Sequence, residues 1–330
     1  MKLTQEDSFV IYRKPYSKKL FLISGKWSKK HTISDNLEFV IGEFPNSNPI
    51  YLNGKKSIVN SPIEIVNTKI EPAILSASKN QYLKTARNYI DLCNTSSLKK
   101  IILSRVISTT NTAKNIYTIF DKLCSKYDHS FNYLLNHPKI GMWMGASPEE
   151  LISGNKAENF STSALAGSKK WNTNLKWTKK EIEEQQYVKN YIEQKLKRYA
   201  TNAICDSDLK TMRAGNVAHL KSTFKFKTDL PILDVVNKLH PTPAISGYPV
   251  KKSIELILEN EPHKRSLYCG YIGEVSQSSA DLFVNLRCMK INKNQLNIYV
   301  GGGITNLSNA DDEWEETQIK SQTLLAVIKK

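Results

Sequence analysis

The stretch Lys100–Ile107 (KIILSRVI) decides the fold, because apolar side chains occupy both of its alternating faces. A strand of this composition is covered on both sides rather than half exposed to water. A predicted helix near Asn115–Tyr127 and two predicted strands, Ser130–Leu135 and Lys139–Met144, follow it along the chain. The stretch therefore predicts a strand in the interior of a protein rich in sheet.

Strands also dominate the N-terminal side of this stretch. Short apolar runs alternate there with polar turns rich in Ser, Asn and Gly, which predicts a series of short strands. They are Phe9–Tyr12, Leu20–Ile23, Phe39–Phe44 and Ile50–Leu52. A helix is predicted at about Gln81–Cys93, between these strands and Lys100–Ile107.

The C-terminal side groups its helices and strands in blocks. Helices are predicted at about Lys179–Tyr199, Ile232–Leu239, Lys251–Glu259 and from Asp311 onward, with a strand at His219–Lys227 and three more between Ser266 and Val300. Such blocks, in place of strict βαβ alternation, are typical of an α+β protein with large, mostly antiparallel sheets. No window resembles a linker, so residues 1–330 are predicted to form a single domain.

The composition is that of a folded protein with a basic surface. Hydrophobic residues make up 40% of the chain, charged residues 24%, and the formal net charge is +16. The excess comes from Lys doublets spread along the chain, and no RNP-type motif accompanies them. A basic nucleic-acid-binding module therefore remains the alternative from another class, although we expect no nucleic-acid partner. A diffuse positive field also favours capture of a small dianion.

The N-terminus and the cysteines indicate a reducing compartment. No apolar run follows the first positive charge, and no stretch approaches the roughly 18 apolar residues of a membrane helix. The five cysteines are scattered without a CxxC pair, which fits reduced thiols in the core. We expect a cytoplasmic protein that does not interact with a membrane.

Three glutamates stand at positions where a carboxylate needs an explanation. The apolar stripe of the predicted helix Lys179–Tyr199 extends through Glu184 by helical spacing. A buried carboxylate must protonate, meet a cation or bind a metal, unless this helix start is exposed. Glu313 and Glu316 share one face of the last helix and make half a metal site. Alternatively they only stabilise the positive end of that helix, behind an N-cap at Asn309.

Weaker signals lie elsewhere in the chain. The glycines of Tyr299–Ile304 (YVGGGI) follow a predicted strand, where backbone N–H groups could approach an anion. Lys100 and Glu149 could act as base or acid, although a lone lysine at a strand entry is usually a solvated charge. Composition and spacing alone do not choose among these interpretations.

Taken in order, these stretches resemble the chorismate-binding enzymes, the group that contains isochorismate, salicylate, anthranilate and aminodeoxychorismate synthases. The matching motifs are Lys100–Arg105 (KIILSR), Gly145–Glu149 (GASPE), Ala164–Ser168 (ALAGS), His240–Ala244 (HPTPA), Leu286–Cys288 (LRC), Gly301–Ile304 (GGGI) and Glu313–Thr317 (EWEET). The resemblance implies sheets packed as a sandwich flanked by helices. Residues 80–330 are expected to be the catalytic part and residues 1–75 a variable N-terminal part.

The resemblance also implies a Mg²⁺ site held by Glu184, Glu313 and Glu316. The family motif Ser-x-Lys-Asp-x-x-Glu-His corresponds to Thr178–Gln185 (TKKEIEEQ), in which Glu184 falls on the metal-binding glutamate. Gln185 replaces the family's histidine, which changes a donor beside a metal ligand. Mg²⁺ takes oxygen ligands and keeps several waters, so it is expected to bind the ring carboxylate of chorismate here.

Three positions narrow the reaction within the family. Lys100 resembles the lysine of members that add water to chorismate, and anthranilate synthases, which add ammonia, lack it. Ala166 stands where aminodeoxychorismate synthases carry a nucleophilic lysine, so that covalent route is closed. The loop that contains Ala244 resembles the isochorismate-forming members, because salicylate synthases tend to have Thr near this position. Salicylate formation remains the alternative within the family.

The resemblance assigns roles for an exchange in which water enters at C2 of the ring and the C4 hydroxyl leaves. Lys100 is expected to be the base and Glu149 the acid, which requires the pKa of Glu149 to rise by roughly two units. Substrate contacts are expected from the following residues: Arg287, Gly302, Gly303, Lys320, Tyr268, Ala166, Gly167 and His240. We expect no glutaminase subunit. Menaquinone biosynthesis is the expected pathway, with a siderophore pathway as the alternative.

Overall fold

The computed structural model describes residues 1–30, 36–45, 48–205, 209–214 and 217–328. Its strands are β1 (Lys2–Thr4), β2 (Phe9–Arg13), β3 (Phe21–Ser28), β4 (Glu38–Gly42), β5 (Ile50–Ile58), β6 (Glu64–Val66), β7 (Lys100–Thr110), β8 (Phe131–His137), β9 (Gly141–Ser147), β10 (Glu150–Asn155), β11 (Phe160–Lys170), β12 (Asn202–Cys205), β13 (Lys210–Ala214), β14 (Val217–Lys227), β15 (Gly247–Tyr248), β16 (Tyr271–Val275), β17 (Ser279–Val284), β18 (Cys288–Ile291) and β19 (Gln295–Ile304). Its helices are α1 (Lys79–Thr95), α2 (Ile116–Lys126), α3 (Lys179–Tyr199), α4 (Ile232–Leu239), α5 (Val250–Asn260) and α6 (Ala310–Ile328).

Most of the strands belong to one continuous antiparallel sheet. Followed from pair to pair, the strand order is β14-β11-β10-β17-β16-β4-β5-β3-β2-β8-β9-β18-β19-β7-β15. Strands β12 and β13 both pair with β14 as well. Strands β1 and β6 pair in parallel and form a small separate sheet.

The continuous sheet folds over on itself near β4, β5 and β3, so that its two halves face each other. Phe131 of β8 stacks on Phe283 of β17 with ring centroids 4.5 Å apart. Tyr12 of β2 lies 5.2 Å from Phe39 of β4, again between centroids. One apolar core takes residues from both halves. The expected sandwich of mostly antiparallel sheets is confirmed.

Helices cover the outer face of the half that contains β2, β8 and β19. A second apolar core joins Leu134 and Val300 of this half to Phe120 of α2 and Leu324 of α6. Helix α3 packs against β11 and β14 of the other half. The prediction of a sandwich flanked by helices is therefore confirmed. No helix of the described residues is both long enough and apolar enough to cross a membrane.

Local sequence explains where the functional elements begin. Strand β7 is buried from Lys100 to Val106, as its two apolar faces predict. Helix α3 starts with a capping box, in which Thr178 and Glu181 satisfy each other's backbone N–H groups. Helix α6 follows the predicted N-cap, since Asn309 Oδ1 accepts the N–H of Asp311 at 2.9 Å.

Three sequence expectations about the sheet were wrong. Strands β10 and β11 were not predicted. They pair with each other and connect β17 to β14 in the sheet. Four strands, β16 to β19, lie where three were expected. The run Gly301–Gly303, expected in a turn, lies inside β19 because the ladder with β7 continues to the pair Ile304–Ile101. Cys93, Cys124, Cys269 and Cys288 are buried free thiols as expected, and the side chain of Cys205 lies outside the described residues.

Candidate active site

A cavity of about 690 Å³, counted with its open mouth, lies between β11 and β19. Most residues with a predicted site role line it: Glu149, Ala166, Gly167, Glu184, Tyr268, Arg287, Gly302, Gly303 and Lys320. None of residues 1–75 is among the lining residues. The catalytic part of the chain therefore supplies the lining described here.

The predicted metal-binding glutamates gather around Gly302 and Gly303. A Cβ on Gly302 would lie 3.3 Å from Glu313 Oε2 and 3.6 Å from Glu316 Oε1. A Cβ on Gly303 would lie only 2.4 Å from Glu184 Oε1, which no real side chain allows. These glycines are required because carboxylates occupy the space that side chains would fill.

Each of these three carboxylates is paired with a lysine. The contacts are Lys100 Nζ to Glu184 Oε1 at 2.9 Å, Lys320 Nζ to Glu316 Oε1 at 2.6 Å, and a very close contact of Lys180 Nζ with Glu313 Oε1. In the part of the chain that the structure describes, no group of three or more His, Cys, Asp or Glu side chains is close enough to hold a metal ion. The site is instead a cluster of three lysine–glutamate pairs.

Glu313 is nevertheless a carboxylate with spare binding capacity. Its side chain is 1% exposed, and its Oε2 atom has no hydrogen-bond partner in the described structure. Burial, with Glu316 beside it, raises the pKa of Glu313 to about 7. A buried oxygen without a donor is costly and is suited to a cation. The vacant oxygen of Glu313 suits a hard divalent cation such as Mg²⁺, which takes oxygen ligands.

The charges of the cluster differ from one pair to the next. Burial alone would raise the pKa of Glu184, but Lys100 and Lys180 outweigh it and hold that pKa below its usual value. Burial alone would lower the pKa of Lys180, but Glu313, Glu184 and Glu316 outweigh it and raise that pKa. Lys180 therefore interacts with all three glutamates and remains a cation.

Glu149 is the other carboxyl group of the cavity wall. It is buried, and burial raises its pKa to about 7 against the opposing effect of nearby cations, Lys100 first. A carboxyl group with this pKa is protonated in part at neutral pH and can donate a proton. The upward shift expected for Glu149 from the sequence is therefore present.

Lys100 lies behind the cavity wall. Its side chain is 0% exposed, and Lys100 is not itself a lining residue. The Cε atom of Lys100 is 3.1 Å from the point where a Cβ on Gly303 would lie, and its Nζ contacts Glu184. Gly303 and Glu184 both line the cavity. Because both faces of β7 are buried, Lys100 lies directly behind the residues that line the cavity.

The backbone of β19 offers donors at alternate glycines. The N–H of Ser104 donates to Glu261 at 2.7 Å, so the pair Ser104–Gly301 is not hydrogen-bonded across the ladder. Hydrogen-bonded and non-bonded pairs alternate along an antiparallel ladder. The backbone N–H of Gly302 is therefore bonded to β7, whereas the backbone N–H groups of Gly301 and Gly303 point away from β7. The free N–H groups of this run are therefore those of Gly301 and Gly303, and the substrate contacts expected around Gly302 and Gly303 stay a prediction.

Cationic and hydroxyl groups complete the cavity. Arg287 is half-buried, has a left-handed backbone conformation with φ of 49°, and donates to Thr323 Oγ1 at 3.1 Å. Lys320 also donates to the carbonyl oxygen of Gly301 at 3.0 Å. The hydroxyl of Tyr268 lies 2.9 Å from the Cβ position of Gly301. These groups surround the glycine run on the side of α6 and β16.

The structure corrects the substrate contact expected from His240. This residue does not line the cavity. Its ring packs edge-on against Tyr271 with centroids 5.3 Å apart, and burial lowers its pKa to about 3. His240 ends α4 inside the core, so packing of the helix end, and not substrate, explains its position.

His219 is a cavity residue that sequence reasoning missed. It lines the cavity, its Nδ1 is 3.1 Å from Ser168 Oγ, and its Nε2 has no partner among the described residues. Burial lowers the pKa of His219 well below its usual value, so the ring is neutral. Its one sequence signal was its place at the start of a predicted strand.

Gln185, which replaces the family's histidine, faces away from the glutamate cluster. Its Nε2 donates to Ser222 Oγ of β14 at 3.1 Å, and the side chain is buried. The amide therefore ties α3 to the sheet.

Comparisons with known proteins agree with this fold and site. The chorismate binding enzyme family matches residues 53–329. Isochorismate synthase EntC of Escherichia coli is 30% identical over 250 residues, which is 72% of this chain and 64% of EntC. The chain therefore spans somewhat less than two thirds of that relative. Isochorismate synthase MenF of Bacillus subtilis is 26% identical over 276 residues, 78% of this chain and 58% of MenF.

Solved structures share the whole architecture. The menaquinone-specific isochorismate synthase MenF of Escherichia coli aligns with a TM-score of 0.81 at 18% identity, over 98% of this chain and 89% of that one. Anthranilate synthase component I of Streptococcus pneumoniae aligns with a TM-score of 0.72 at 16% identity, over 96% of this chain and 92% of that one. The fold match and the family match over most of the chain show that this protein belongs to the chorismate-binding enzymes.

Proposed function

We propose that the protein is an isochorismate synthase, which converts chorismate to isochorismate by adding water at C2 with loss of the C4 hydroxyl. The observation that carries the proposal is the pair of groups at the cavity: Glu149 with its pKa raised to about 7, and Lys100 fully buried behind the wall. A reaction that needs an acid and a base together requires such a pair. The similarity to EntC and MenF supports the same activity.

The proposed reaction balances without a redox step. Lys100 accepts a proton from water as the oxygen bonds to C2, and Glu149 donates a proton to the C4 oxygen as its bond to carbon breaks. One water enters and one leaves, so the product is an isomer. Before the next turnover Lys100 has to release its proton and Glu149 has to regain one, and Glu149 lines the cavity that opens to solvent.

Glu184, Glu313 and Glu316 would hold Mg²⁺. Bound there, the ion supplies a Lewis acid that binds and orients the ring carboxylate of chorismate. The residues of this chain then have to bind the second carboxylate. Arg287 supplies a planar fork for it, and Lys320, the N–H groups of Gly301 and Gly303, and the Tyr268 hydroxyl supply further donors.

Salicylate formation is the second candidate within the family. The cavity wall favours isochorismate, since Ala244 stands where salicylate synthases tend to have Thr. Menaquinone biosynthesis is the pathway we propose from the similarity to MenF, and the similarity to EntC keeps a siderophore pathway as the alternative. Family membership favours a small-molecule substrate over a nucleic-acid partner.

Product identification tests the proposal. Purified protein incubated with chorismate and Mg²⁺ is expected to form isochorismate, separated by chromatography, and EDTA is expected to stop the reaction. Release of salicylate and pyruvate would support the second candidate. Full turnover in EDTA would refute the metal site, and unchanged chorismate in the presence of Mg²⁺ would refute the activity.

A further inference from the structure

Lys180 takes no part in the proposed reaction, yet its ammonium group is bound to Glu313, a predicted metal ligand. It lies in the first turn of α3, and its Nζ contacts Glu313 Oε1, which also accepts a hydrogen bond from Ser308 Oγ at 2.7 Å. The other oxygen, Oε2, has no partner in the described residues. One face of Glu313 is therefore doubly bound and the other is vacant.

The charges of the cluster cancel before any metal binds. Glu184, Glu313 and Glu316 are each paired with one lysine. Counted as ionised groups, three carboxylates and three ammonium groups sum to zero, and a divalent cation would bring the sum to +2. Because like charges at this range repel, one lysine has to move for the cation to bind well.

Of the three lysines, Lys180 is the one that can leave. Lys100 is 0% exposed on a central strand, and Lys320 is also held by the Gly301 carbonyl at 3.0 Å. Lys180 is 20% exposed at a helix start, and its flexible stem can carry the ammonium group into solvent. It is also the lysine whose ammonium interacts with all three glutamates.

We propose that Lys180 is the internal counter-ion of the glutamate cluster, bound to Glu313 in the metal-free protein and displaced from it by the divalent cation. It stabilises the empty site and thereby sets how tightly the cation binds. This inference rests on the Mg²⁺ site of the proposed function. It assigns Lys180 a positioning role in metal binding and no part in the chemistry.

Calorimetric titration of the substrate-free protein with Mg²⁺ tests this role. Lys180→Met is expected to bind Mg²⁺ about tenfold more tightly than wild type, since the competing cation is gone. The matched control is Lys179→Met, which removes the same charge one residue away. Lys179 is 81% exposed and pairs only with Glu183 at 3.6 Å, so its removal is expected to change the Mg²⁺ affinity by less than about twofold.

The outcomes separate this inference from the proposed function. If wild type binds Mg²⁺ and Lys180→Met binds it equally or more weakly, the counter-ion role is wrong while the metal site stands. If neither Lys180→Met nor wild type binds Mg²⁺, the metal site is wrong. Crystal structures of wild type with and without Mg²⁺ give a second measurement that needs no variant. Lys180 Nζ still on Glu313 in the metal-bound crystal would refute displacement.

Discussion

Two buried groups of lysines and carboxylates lie in this protein, one in the sandwich core and one at the cavity. In the core, Glu274 of β16 is bound by Lys14 at 2.8 Å, by Lys56 at 2.5 Å and by the hydroxyl of Tyr12. Burial alone would raise the pKa of Glu274, but these partners outweigh it and lower that pKa. At the cavity, Glu313 has one lysine, and burial raises its pKa to about 7.

The difference lies in how many donors serve each carboxylate. Glu274 has two cations and a hydroxyl, so its charge is satisfied and nothing further is needed to hold it. Glu313 and Glu149 are buried with fewer donors, and both have a pKa near 7. Incomplete satisfaction of buried charge is typical of functional sites, because a ligand or a proton completes it. The core group therefore stabilises the fold, and the cavity group is available for ligands.

The largest effect is expected from Lys100→Ala. If the cavity group serves chemistry, removal of the proposed base lowers kcat by about 10²- to 10⁴-fold while chorismate still binds. Steady-state kinetics and a binding titration measure the two effects. The control is Lys99→Ala, since Lys99 is exposed at the neighbouring position. If Lys100→Ala kept the wild-type kcat, Lys100 would have a structural role, like the lysines around Glu274.

Glu274→Gln is expected to affect stability and not catalysis. Loss of the buried charge removes the anion that Lys14 and Lys56 share, although Lys14 keeps its contact with Asp281 at 2.5 Å. Because both lysines are partly exposed, the free energy of unfolding is expected to fall by about 2–3 kcal/mol. Urea denaturation measures it, and kcat is expected to stay at the wild-type value. The exposed pair Lys2–Glu64 gives the control Glu64→Gln, with a loss below about 1 kcal/mol.

The pH dependence of Glu274 checks the sign of this effect. The pKa of Glu274 is lowered from 4.5, so its stabilisation is present above pH 4.5 and is lost as the pH falls through the lower, folded-state pKa. The difference in unfolding free energy between wild type and Glu274→Gln should therefore shrink in acid. A difference that stays constant down to strongly acidic pH would show that the charge of Glu274 is not what stabilises the core.

The smallest effect is expected in the pH profile of turnover. Glu149 must be protonated to act as an acid, and its pKa is about 7, so its protonation is expected to add a limb to the kcat/KM profile that falls above pH 7. The base adds a separate limb that rises with pH. The fall is at most about tenfold per pH unit, because one proton is involved. Glu149→Gln is expected to lose this limb together with most of its activity. A falling limb above pH 7 that is the same in wild type and in Glu149→Gln would exclude Glu149 as the acid.

Local patterns predicted the helices well and part of the sheet poorly. Helices α3 and α4 begin and end at the predicted residues, because helical spacing of apolar residues is a local signal. Strand β11 was missed, since Ala164–Ser168 consists largely of small residues with low strand propensity. Its strand state comes from pairing with β14, which a single sequence does not reveal.

The sequence predicted which residues belong to the candidate site, but it did not predict which of them contact one another. Family motifs named the three glutamates, and they gather around Gly302 and Gly303. Lys180 precedes Glu184 by four residues, so helical spacing would predict a pair between them. Its Nζ instead contacts Glu313, 133 positions further along the chain. Sequence spacing carries no information about such a contact, which only the tertiary fold creates.

The strands of the first 75 residues contribute none of the residues that line the cavity, yet β2 to β5 bridge the two halves of the sheet. Strand β4 pairs with β16 on one side, and β2 pairs with β8 on the other. Without this bridge, β8 and β16 would each present an open row of N–H and C=O groups, the feature that makes sheets aggregate. The N-terminal part can therefore vary in sequence only as far as it still supplies these hydrogen bonds. Backbone pairing has to be preserved there together with core side chains such as Tyr12 and Phe39.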